Sequence, residues 1–355
     1  MKKRIKGLLI GVSAVLILMI LLGVLQALVV PKYITNPEGA LSGEYYADAG
    51  GHDVIFVGDC EVYESFVPSV LWESNGITSY VRGSAQQLAW HSYYILEETF
   101  RYETPKVVVF NVLALKYGKP QSEAFNRMTL DTMKWSPAKI KAIYASMTEE
   151  ESIADYLFPI LRYHARITDL EENDLKYWFK DTPDISDNGY LMQAAIVPME
   201  NENEEGRELL DYTLPTTSME YLTKMKELCE ENGAELVLVK APTNSWGYYW
   251  YDEWEEQIVD YAQKNGLDYY NFIPLCDAIG IDWSTDTYDA GMHLNVYGAE
   301  KLSRYFGAIL AEKHGVTDHR GEAETAERWG EYLEEYRRRK KMLEDAEAAK
   351  LTEDK

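Results

Sequence analysis

Three side chains of this sequence have the types that nucleophilic catalysis by a thiol requires. Cys60 follows the apolar residues 54–57 and the pair Gly58-Asp59. His293 and Asp289 lie far downstream in a polar loop that leads into an apolar-periodic segment. An imidazole that removes the proton of a thiol activates it, and a carboxylate holds the imidazole in the required tautomer. We therefore predict Cys60 as nucleophile, His293 as general base and Asp289 as the residue that orients the ring.

Each of these residues also has a plainer interpretation. Cys60 could be a small buried hydrophobe, because free cysteines are often buried, and the neighbouring Asp59 disfavours a thiolate. His293 could cap a helix or fill the core, although it alone of the six histidines stands in an Asp-rich loop before a helix. Asp286 is the alternative orienting residue for His293.

The segments that must position these residues alternate between strand and helix patterns. Short apolar runs predict five strands, at residues 53–57, 77–82, 106–112, 235–239 and 267–272. Amphipathic periodicity predicts four helices, over 84–102, from 218 to Asn232-Gly233, over 254–263 and after Asn295. Ser84 with Gln87 fits a capping box for the first of them, and Asn295 fits the cap of the last. This order predicts an α/β fold in which Cys60 lies at the carboxyl edge of the sheet, where ligands bind.

Two regions depart from the alternation. Residues 113–214 mix aromatics, short helical patterns and turn signals, which indicates a large insertion that forms a cap or substrate lobe. Residues 316–355 are rich in Glu, Ala, Arg and Lys, and Trp329, Tyr336 and Leu343 recur every seven residues. Three heptad positions are a weak coiled-coil signal, so we expect a solvated helix with a frayed acidic tail.

The N-terminus has the properties of a membrane anchor. Residues 7–30 carry no charge and would span about 36 Å as a helix, enough for a hydrocarbon core of about 30 Å. No cleavage site of the Ala-x-Ala type follows, so residues 1–30 predict an uncleaved signal anchor, with residues 31–52 as a juxtamembrane linker. The basic start places the N-terminus in the cytoplasm and the main domain outside.

Charge and composition limit the ligands. The net charge of −24 argues against nucleic acid, whose binding requires a basic patch. Neither a metal-ligand spacing nor a Gly-rich phosphate loop is present, so we predict no metal and no cofactor. Of the three cysteines, Cys229 and Cys276 could pair as a disulfide or remain free. Aromatic residues at 246–254 could stack on sugars, pack beneath the cap or touch a membrane interface.

Taken together, the two motifs resemble those of the SGNH (GDSL-type) hydrolases. Gly58-Asp59-Cys60 resembles their Gly-Asp-Ser block with sulfur in place of the hydroxyl. Asp289 and His293-Leu294-Asn295 resemble their Asp-x-x-His block, with three intervening residues instead of two. The resemblance covers residues 53–315 and is greatest to membrane-anchored bacterial envelope members, such as the teichoic-acid D-alanyl transfer protein and the alginate O-acetylation proteins.

The resemblance implies a three-layer SGNH/flavodoxin-like sandwich with a mostly parallel central sheet. It also implies oxyanion donors at Gly83 and Asn111, besides the backbone N–H of Cys60. Gly83 could equally turn the chain, and Asn111 could be an ordinary polar residue at a strand end.

The implied function is that of a membrane-anchored, extracytoplasmic acyl-ester hydrolase or acyltransferase acting on cell-wall or capsular glycans. One alternative is a catalytically inactive scaffold that binds envelope glycans or assembles an envelope complex. Another is an enzyme that handles thioesters.

Overall fold

The computed structural model describes residues 2–48, 50–178, 184–199 and 206–353. Within these residues, five strands form one sheet in the order β2-β1-β3-β4-β5, and every neighbouring pair is parallel. The strands are β1 (Val54–Gly58), β2 (Ser79–Gly83), β3 (Val107–Asn111), β4 (Glu235–Lys240) and β5 (Asp268–Asn271). The prediction of an α/β fold with a parallel sheet is thus confirmed.

Helices occupy most of the remaining described chain. The α-helices are α1 (Lys2–Val29), α2 (Leu41–Glu44), α3 (Cys60–Tyr63), α4 (Pro68–Asn75), α5 (Ala89–Thr99), α6 (Glu123–Leu130), α7 (Pro137–Ser146), α8 (Ile153–Leu157), α9 (Ile160–Tyr163), α10 (Glu172–Lys176), α11 (Thr216–Glu231), α12 (Asp252–Asn265), α13 (Cys276–Ile279), α14 (Val296–Lys313) and α15 (Ala323–Glu353). Short 3-10 helices lie at Pro37–Gly39, Tyr45–Ala47, Val112–Lys116, His164–Thr168, Trp246–Tyr248 and Ile273–Leu275.

The sheet is buried on both faces. Alternate residues of β1 divide between two apolar clusters, with Phe56 in the first and Ile55 in the second. Residues of α4 and α14 join the first cluster, and residues of α5 and α11 join the second. Fully apolar strands of this kind are typical of parallel sheets covered by helices, because neither face can meet water.

Helix α5 begins later than predicted. The capping-box prediction for Ser84 is wrong, because its hydroxyl donates to the side chain of Gln87 at 3.0 Å and also meets the hydroxyl of Thr129 at 2.6 Å. The helix begins only at Ala89, where the backbone N–H of Leu88 donates to Nδ1 of His91 at 3.1 Å. Ser84 therefore belongs to the turn after β2.

Helix α1 is long and apolar enough to cross a membrane. The most apolar 18-residue window of its span Arg4–Val29 has a mean hydropathy of 3.0, and none of that window is buried against the described protein. The end of α1 contacts the domain, where Leu28 and Val29 are buried, and the exposed remainder is compatible with a membrane-spanning segment.

The segment that follows α1 is folded onto the domain. Leu41 and Tyr45 are buried, and His52 lies between two carboxylates, with Asp48 at 3.1 Å and Glu103 at 3.0 Å. Burial opposes charging of this ring, but the hydrogen bonds and charges of both carboxylates outweigh it and raise the pKa of His52 to about 9. The part of residues 31–52 that the structure describes is thus packed rather than a free linker.

Residues 113–214 contain helices α6–α10 and, where described, no strand of the sheet. Ala142 and Ile143 of α7 join the apolar cluster that includes α5. Further along, the backbone N–H of Leu191 donates to the carbonyl of Tyr63 in α3 at 2.8 Å, and that of Val197 donates to the carbonyl of Thr287 at 3.1 Å.

Helix α15 packs against the domain, so the prediction of a solvated helix is wrong. Trp329 is fully buried and stacks on Trp72 of α4 with ring centroids 5.6 Å apart. Tyr336 is also buried, and its hydroxyl donates to Glu300 of α14 at 2.8 Å. The seven-residue spacing of these aromatic residues therefore corresponds to a helix face that packs on the same chain.

Candidate active site

The turn after β1 presents Cys60 at the carboxyl edge of the sheet. Asp59 caps α3 by accepting a hydrogen bond from the backbone N–H of Glu61 at 3.3 Å, and Cys60 is the first residue of that helix. Gly58 has a φ of 155°, and a Cβ there would lie 2.4 Å from a methyl of Val62. Only glycine fits this close approach. Doubly wound sheets with this strand order bind ligands between the ends of β1 and β3.

Asp289 orients the imidazole of His293. Nδ1 of His293 lies 2.6 Å from one oxygen of Asp289, and the backbone N–H of His293 donates to the other oxygen at 2.8 Å. Ala290 and Gly291 have φ values of 59° and 88°, so the chain curls tightly between the two residues. This left-handed turn accommodates the additional residue in the Asp–His spacing. Asn295 caps α14 as expected, accepting from the backbone N–H of Tyr297 at 3.1 Å.

Asp286, the alternative orienting residue, makes different contacts. Its carboxylate accepts a hydrogen bond from the backbone N–H of Asp282 at 2.8 Å and forms an ion pair with Lys301 of α14. Asp286 therefore fixes the loop to the helix, whereas Asp289 holds the ring.

A second carboxylate, which the sequence analysis did not single out, also faces the imidazole. One oxygen of Glu64 lies 3.5 Å from Nδ1 of His293, and the other accepts a hydrogen bond from the Tyr288 hydroxyl at 2.8 Å. The Tyr288 ring stacks on the imidazole with centroids 5.9 Å apart. Burial raises the pKa of Glu64 to about 7, although the His293 charge acts in the opposite direction.

The thiol of Cys60 and the imidazole of His293 influence each other through their charges. Burial raises the pKa of Cys60, and the His293 ring opposes that rise. Burial also disfavours the imidazolium, but the Cys60 sulfur, Asp289 and Glu64 outweigh it and raise the pKa of His293. Nε2 of His293 has no hydrogen-bond partner among the described residues. The carboxylates beside the ring favour its protonated form.

Tyr248 closes over the sulfur. Its hydroxyl lies 3.1 Å from Sγ of Cys60, and its ring meets the His293 ring edge-on at 5.2 Å. As a result only 8% of Cys60 and 7% of His293 is exposed. Tyr248 comes from the aromatic segment after β4, in which Trp250 and Trp254 are also buried. Three members of this segment therefore pack against the protein.

Gly83 and Asn111 lie beside the turn but are engaged in its packing. Gly83 is level with Gly58 in the sheet, and a Cβ there would come 2.9 Å from the ring of Tyr63. The Asn111 amide donates to Asp59 at 3.2 Å and to Glu61 at 2.9 Å, while its oxygen accepts from the backbone N–H of Ala241 at 3.1 Å. Both amide hydrogens of Asn111 are thus used within the protein.

A buried ion pair adjoins the turn that carries Cys60, because Glu61 follows Cys60 in α3. Nζ of Lys240 lies 2.7 and 2.9 Å from the two oxygens of Glu61, and both side chains are fully buried. Burial and the Glu61 charge together raise the pKa of Asp59 to about 6, although Lys116 and Lys240 act against them. The one feature of the sequence that could have indicated this ion pair is Lys240, which follows the apolar residues 236–239 of β4.

Lys116 supplies a further cation near the thiol. Its ammonium lies 5.2 and 5.0 Å from the ring centroids of Tyr117 and Tyr248, and it makes no ion pair within the described residues. Burial lowers the pKa of Lys116, against the raising influence of Glu61 and Asp59.

The cysteines and the acidic groups bear on the disulfide and metal predictions. All three cysteines are free, so Cys229 and Cys276 are not paired. Within the described residues, one group of three potential metal ligands comes together, formed by Glu235, Asp268 and His314 at the amino ends of β4 and β5. That edge of the sheet is opposite the one that carries Cys60.

The site belongs to the class of Cys-His-Asp arrangements on a parallel α/β sheet. No protein-family model matches the chain, and a search of curated proteins finds no match.

Proposed function

We propose that this chain is an SGNH-like acyl-ester hydrolase or acyltransferase with Cys60 as nucleophile. One observation carries the proposal: Asp289 holds Nδ1 of His293 at 2.6 Å, and the Tyr248 side chain contacts both that ring and the thiol on the β1 turn. In the proposed triad Cys60 is the nucleophile, His293 the base and Asp289 the orienting group, although 233 positions separate the thiol from the imidazole.

In the proposed reaction, the Cys60 proton passes to His293 and the sulfur attacks the carbonyl carbon of an ester. The C–O bond then breaks, and the imidazolium returns its proton to the leaving alkoxide. A thioester remains on Cys60. Water releases the acid in hydrolysis, whereas the hydroxyl of a glycan receives the acyl group in transfer. The backbone N–H of Cys60 is the proposed oxyanion donor, because Asn111 has no amide hydrogen left for that role.

The proposed setting is the outer face of a bacterial cell membrane, with cell-wall or capsular polymers as acyl acceptors. The length and hydropathy of α1 support anchoring, and the basic residues before it favour a cytoplasmic N-terminus. The proposed architecture is a three-layer sandwich in which residues from 113–214 form a lobe beside the site. The backbone hydrogen bonds of Leu191 to Tyr63 and of Val197 to Thr287 and Ala290 support this arrangement.

The second candidate function is a non-catalytic scaffold that binds an envelope glycan or assembles an envelope complex. One specific feature favours it: the Tyr248 hydroxyl lies against the sulfur, while the Asn111 donors are consumed by Asp59 and Glu61. A binding protein could retain this arrangement without any need to stabilise an oxyanion.

Acyl trapping separates the two candidates. The detergent-solubilised full chain is incubated with p-nitrophenyl acetate, and the intact mass and released nitrophenol are measured. The enzyme proposal expects acetyl on Cys60 and steady turnover, both lost in Cys60→Ala. Cys276→Ala is the matched control, because Cys276 is the more exposed of the other thiols and lies outside the site. Equal labelling of wild type and Cys60→Ala, or none in either, would support the scaffold.

A further inference from the structure

A patch of apolar side chains is exposed around helices α8–α10. Each member is between 44% and 58% exposed, and the set consists of Leu157, Phe158, Leu161, Ile167 and Leu175. Single exposed apolar residues are common, but clusters on neighbouring short helices mark an interaction surface.

This patch adjoins the end of the apolar helix α1. The Arg166 guanidinium donates to the carbonyl of Val29 at 2.6 Å, and the Trp178 indole N–H donates to the carbonyl of Val24 at 2.9 Å. Both acceptors belong to the last turns of the span Arg4–Val29. That helix is about 39 Å long, whereas a hydrocarbon core is about 30 Å thick, so in the proposed membrane-anchored state its last turns would reach the lipid headgroups. Contacts to Val24 and Val29 therefore hold the patch at the same depth.

A basic cavity opens in the same region. Its volume is about 270 Å³, and residues 31–36, which directly follow the span, line one side. Four cations contribute to the lining, namely Lys32, Arg127, Arg162 and Arg166. Two acidic residues, Glu171 and Asp174, also line it, so the lining carries two more cations than anions in a chain whose net charge is −24. Carboxylates pair with three of these cations: Glu123 with Arg127 and Arg162, Asp131 with Arg127, and Asp174 with Arg166. Arg127 is buried, and its Nη2 has no hydrogen-bond partner among the described residues.

We propose that residues 153–178 form a membrane-contact surface, which enters the bilayer leaflet that faces the domain. In this proposal the basic cavity holds an anionic phospholipid headgroup. Apolar side chains enter the acyl boundary while Arg and Lys remain among the phosphates, as in interfacial helices. The domain is then held to the bilayer at two places, by α1 and by this surface. Its orientation to the membrane is fixed rather than free, and the proposal does not depend on the catalytic one.

Depth labelling tests the surface. The full chain carrying Cys276→Ala and Leu161→Cys is labelled with an environment-sensitive fluorophore and placed in nanodiscs that contain phosphatidylglycerol. The matched control is Leu343→Cys in the same background, since Leu343 is an exposed leucine on α15. We expect the label at 161 to emit at shorter wavelength, to be quenched by doxyl lipids and to resist aqueous iodide, and the label at 343 to do none of these. Iodide quenching that is equal at both positions would overturn the proposal. A label at 161 that neither iodide nor doxyl lipid quenches would assign the patch to protein contact and would also overturn it.

Thermal unfolding in detergent tests the headgroup. Phosphatidylglycerol should raise the midpoint more than phosphatidylcholine does, and Arg162→Gln should reduce that difference. Arg320→Gln is the matched control, because this exposed arginine pairs with Asp318 away from the cavity. Inorganic phosphate at the same concentration should leave the midpoint unchanged. A gain with phosphate equal to that with phosphatidylglycerol would assign the cavity to free phosphate, and equal gains with both lipids would refute anionic recognition.

Discussion

Loss of the Lys240 ammonium should destabilise the protein far more than loss of an exposed lysine. In Lys240→Met, the buried Glu61 carboxylate loses contacts of 2.7 and 2.9 Å and keeps one Asn111 amide hydrogen at 2.9 Å. Leaving one partner of a buried pair uncompensated costs about 3–5 kcal/mol. With a denaturant slope of about 3 kcal/mol per molar urea, the midpoint should fall by about 1–2 M.

The assay is urea unfolding of the detergent-solubilised full chain, followed by tryptophan fluorescence. Lys106→Met is the matched control, because this half-exposed lysine pairs with Asp53 at 2.8 Å and such surface pairs contribute about 0–1 kcal/mol. The double variant Glu61→Gln with Lys240→Met should unfold at an intermediate urea concentration, because the unpaired charge is then removed as well.

The same midpoint for Lys240→Met and Lys106→Met would refute the reasoning. It would mean that water reaches the Glu61 carboxylate, or that the carboxylate takes up a proton at little cost. A double variant as unstable as Lys240→Met alone would instead point to lost packing as the cause.

Three further predictions concern the imidazole, the thiol and the packed segment after α1. Asp289→Asn should slow acetylation of Cys60 by about 100-fold or more, because the ring loses its orienting carboxylate, while Asp286→Asn should acetylate at nearly the wild-type rate. Equal rates for the two variants, measured by stopped-flow nitrophenol release, would contradict this assignment. Iodoacetamide alkylation of Cys60 should rise with pH to a midpoint above the ordinary thiol value of 9.0, because burial raises its pKa, and His293→Gln should move that midpoint higher still. Peptide mass spectrometry measures the extent of alkylation at each pH. A midpoint below 9.0 would contradict the conclusion that burial dominates the pKa of Cys60. His52→Gln should lose up to about 3 kcal/mol of stability, because the pKa of His52 rises from 6.5 to about 9 on folding. Because the pKa of His52 is raised in the folded state, its stabilising contribution is complete below pH 6.5 and is lost as the pH rises through about 9. The urea midpoints of wild type and variant should therefore converge near pH 9, and a difference that persists at higher pH would refute the linkage.

The sequence predicted the sheet well because the strands carry their own signal. Fully apolar, β-branched runs such as that of β3 need burial on both faces, and the order of strand and helix patterns then implies parallel pairing. Asn295 was also predictable, since a helix cap is a local interaction. Whether a segment forms a strand or a helix was predictable because hydrophobic periodicity is a property of residues close together in the chain.

What escaped prediction depends on partners that are distant in the chain. The residues around Ser84 predict a helix cap, but its hydroxyl contacts that of Thr129, which is 45 positions away in the chain. The ion pair of Glu61 and Lys240 joins residues 179 positions apart, so neither charge could be matched to the other from spacing. The aromatic spacing on α15 was visible, yet nothing local distinguished a partner on the same chain from solvent or a second helix.

The packing of α15 on α4 has a consequence for how the chain is made. Trp72 emerges from the ribosome long before Trp329, and the two indoles stack in the finished protein. At synthesis rates of about 5–20 residues per second, the face of α4 that packs on α15 stays exposed for more than ten seconds before α15 is made. A message that ends early would therefore yield a chain with its sheet complete but that face open, and such a chain should be a substrate for quality-control proteases.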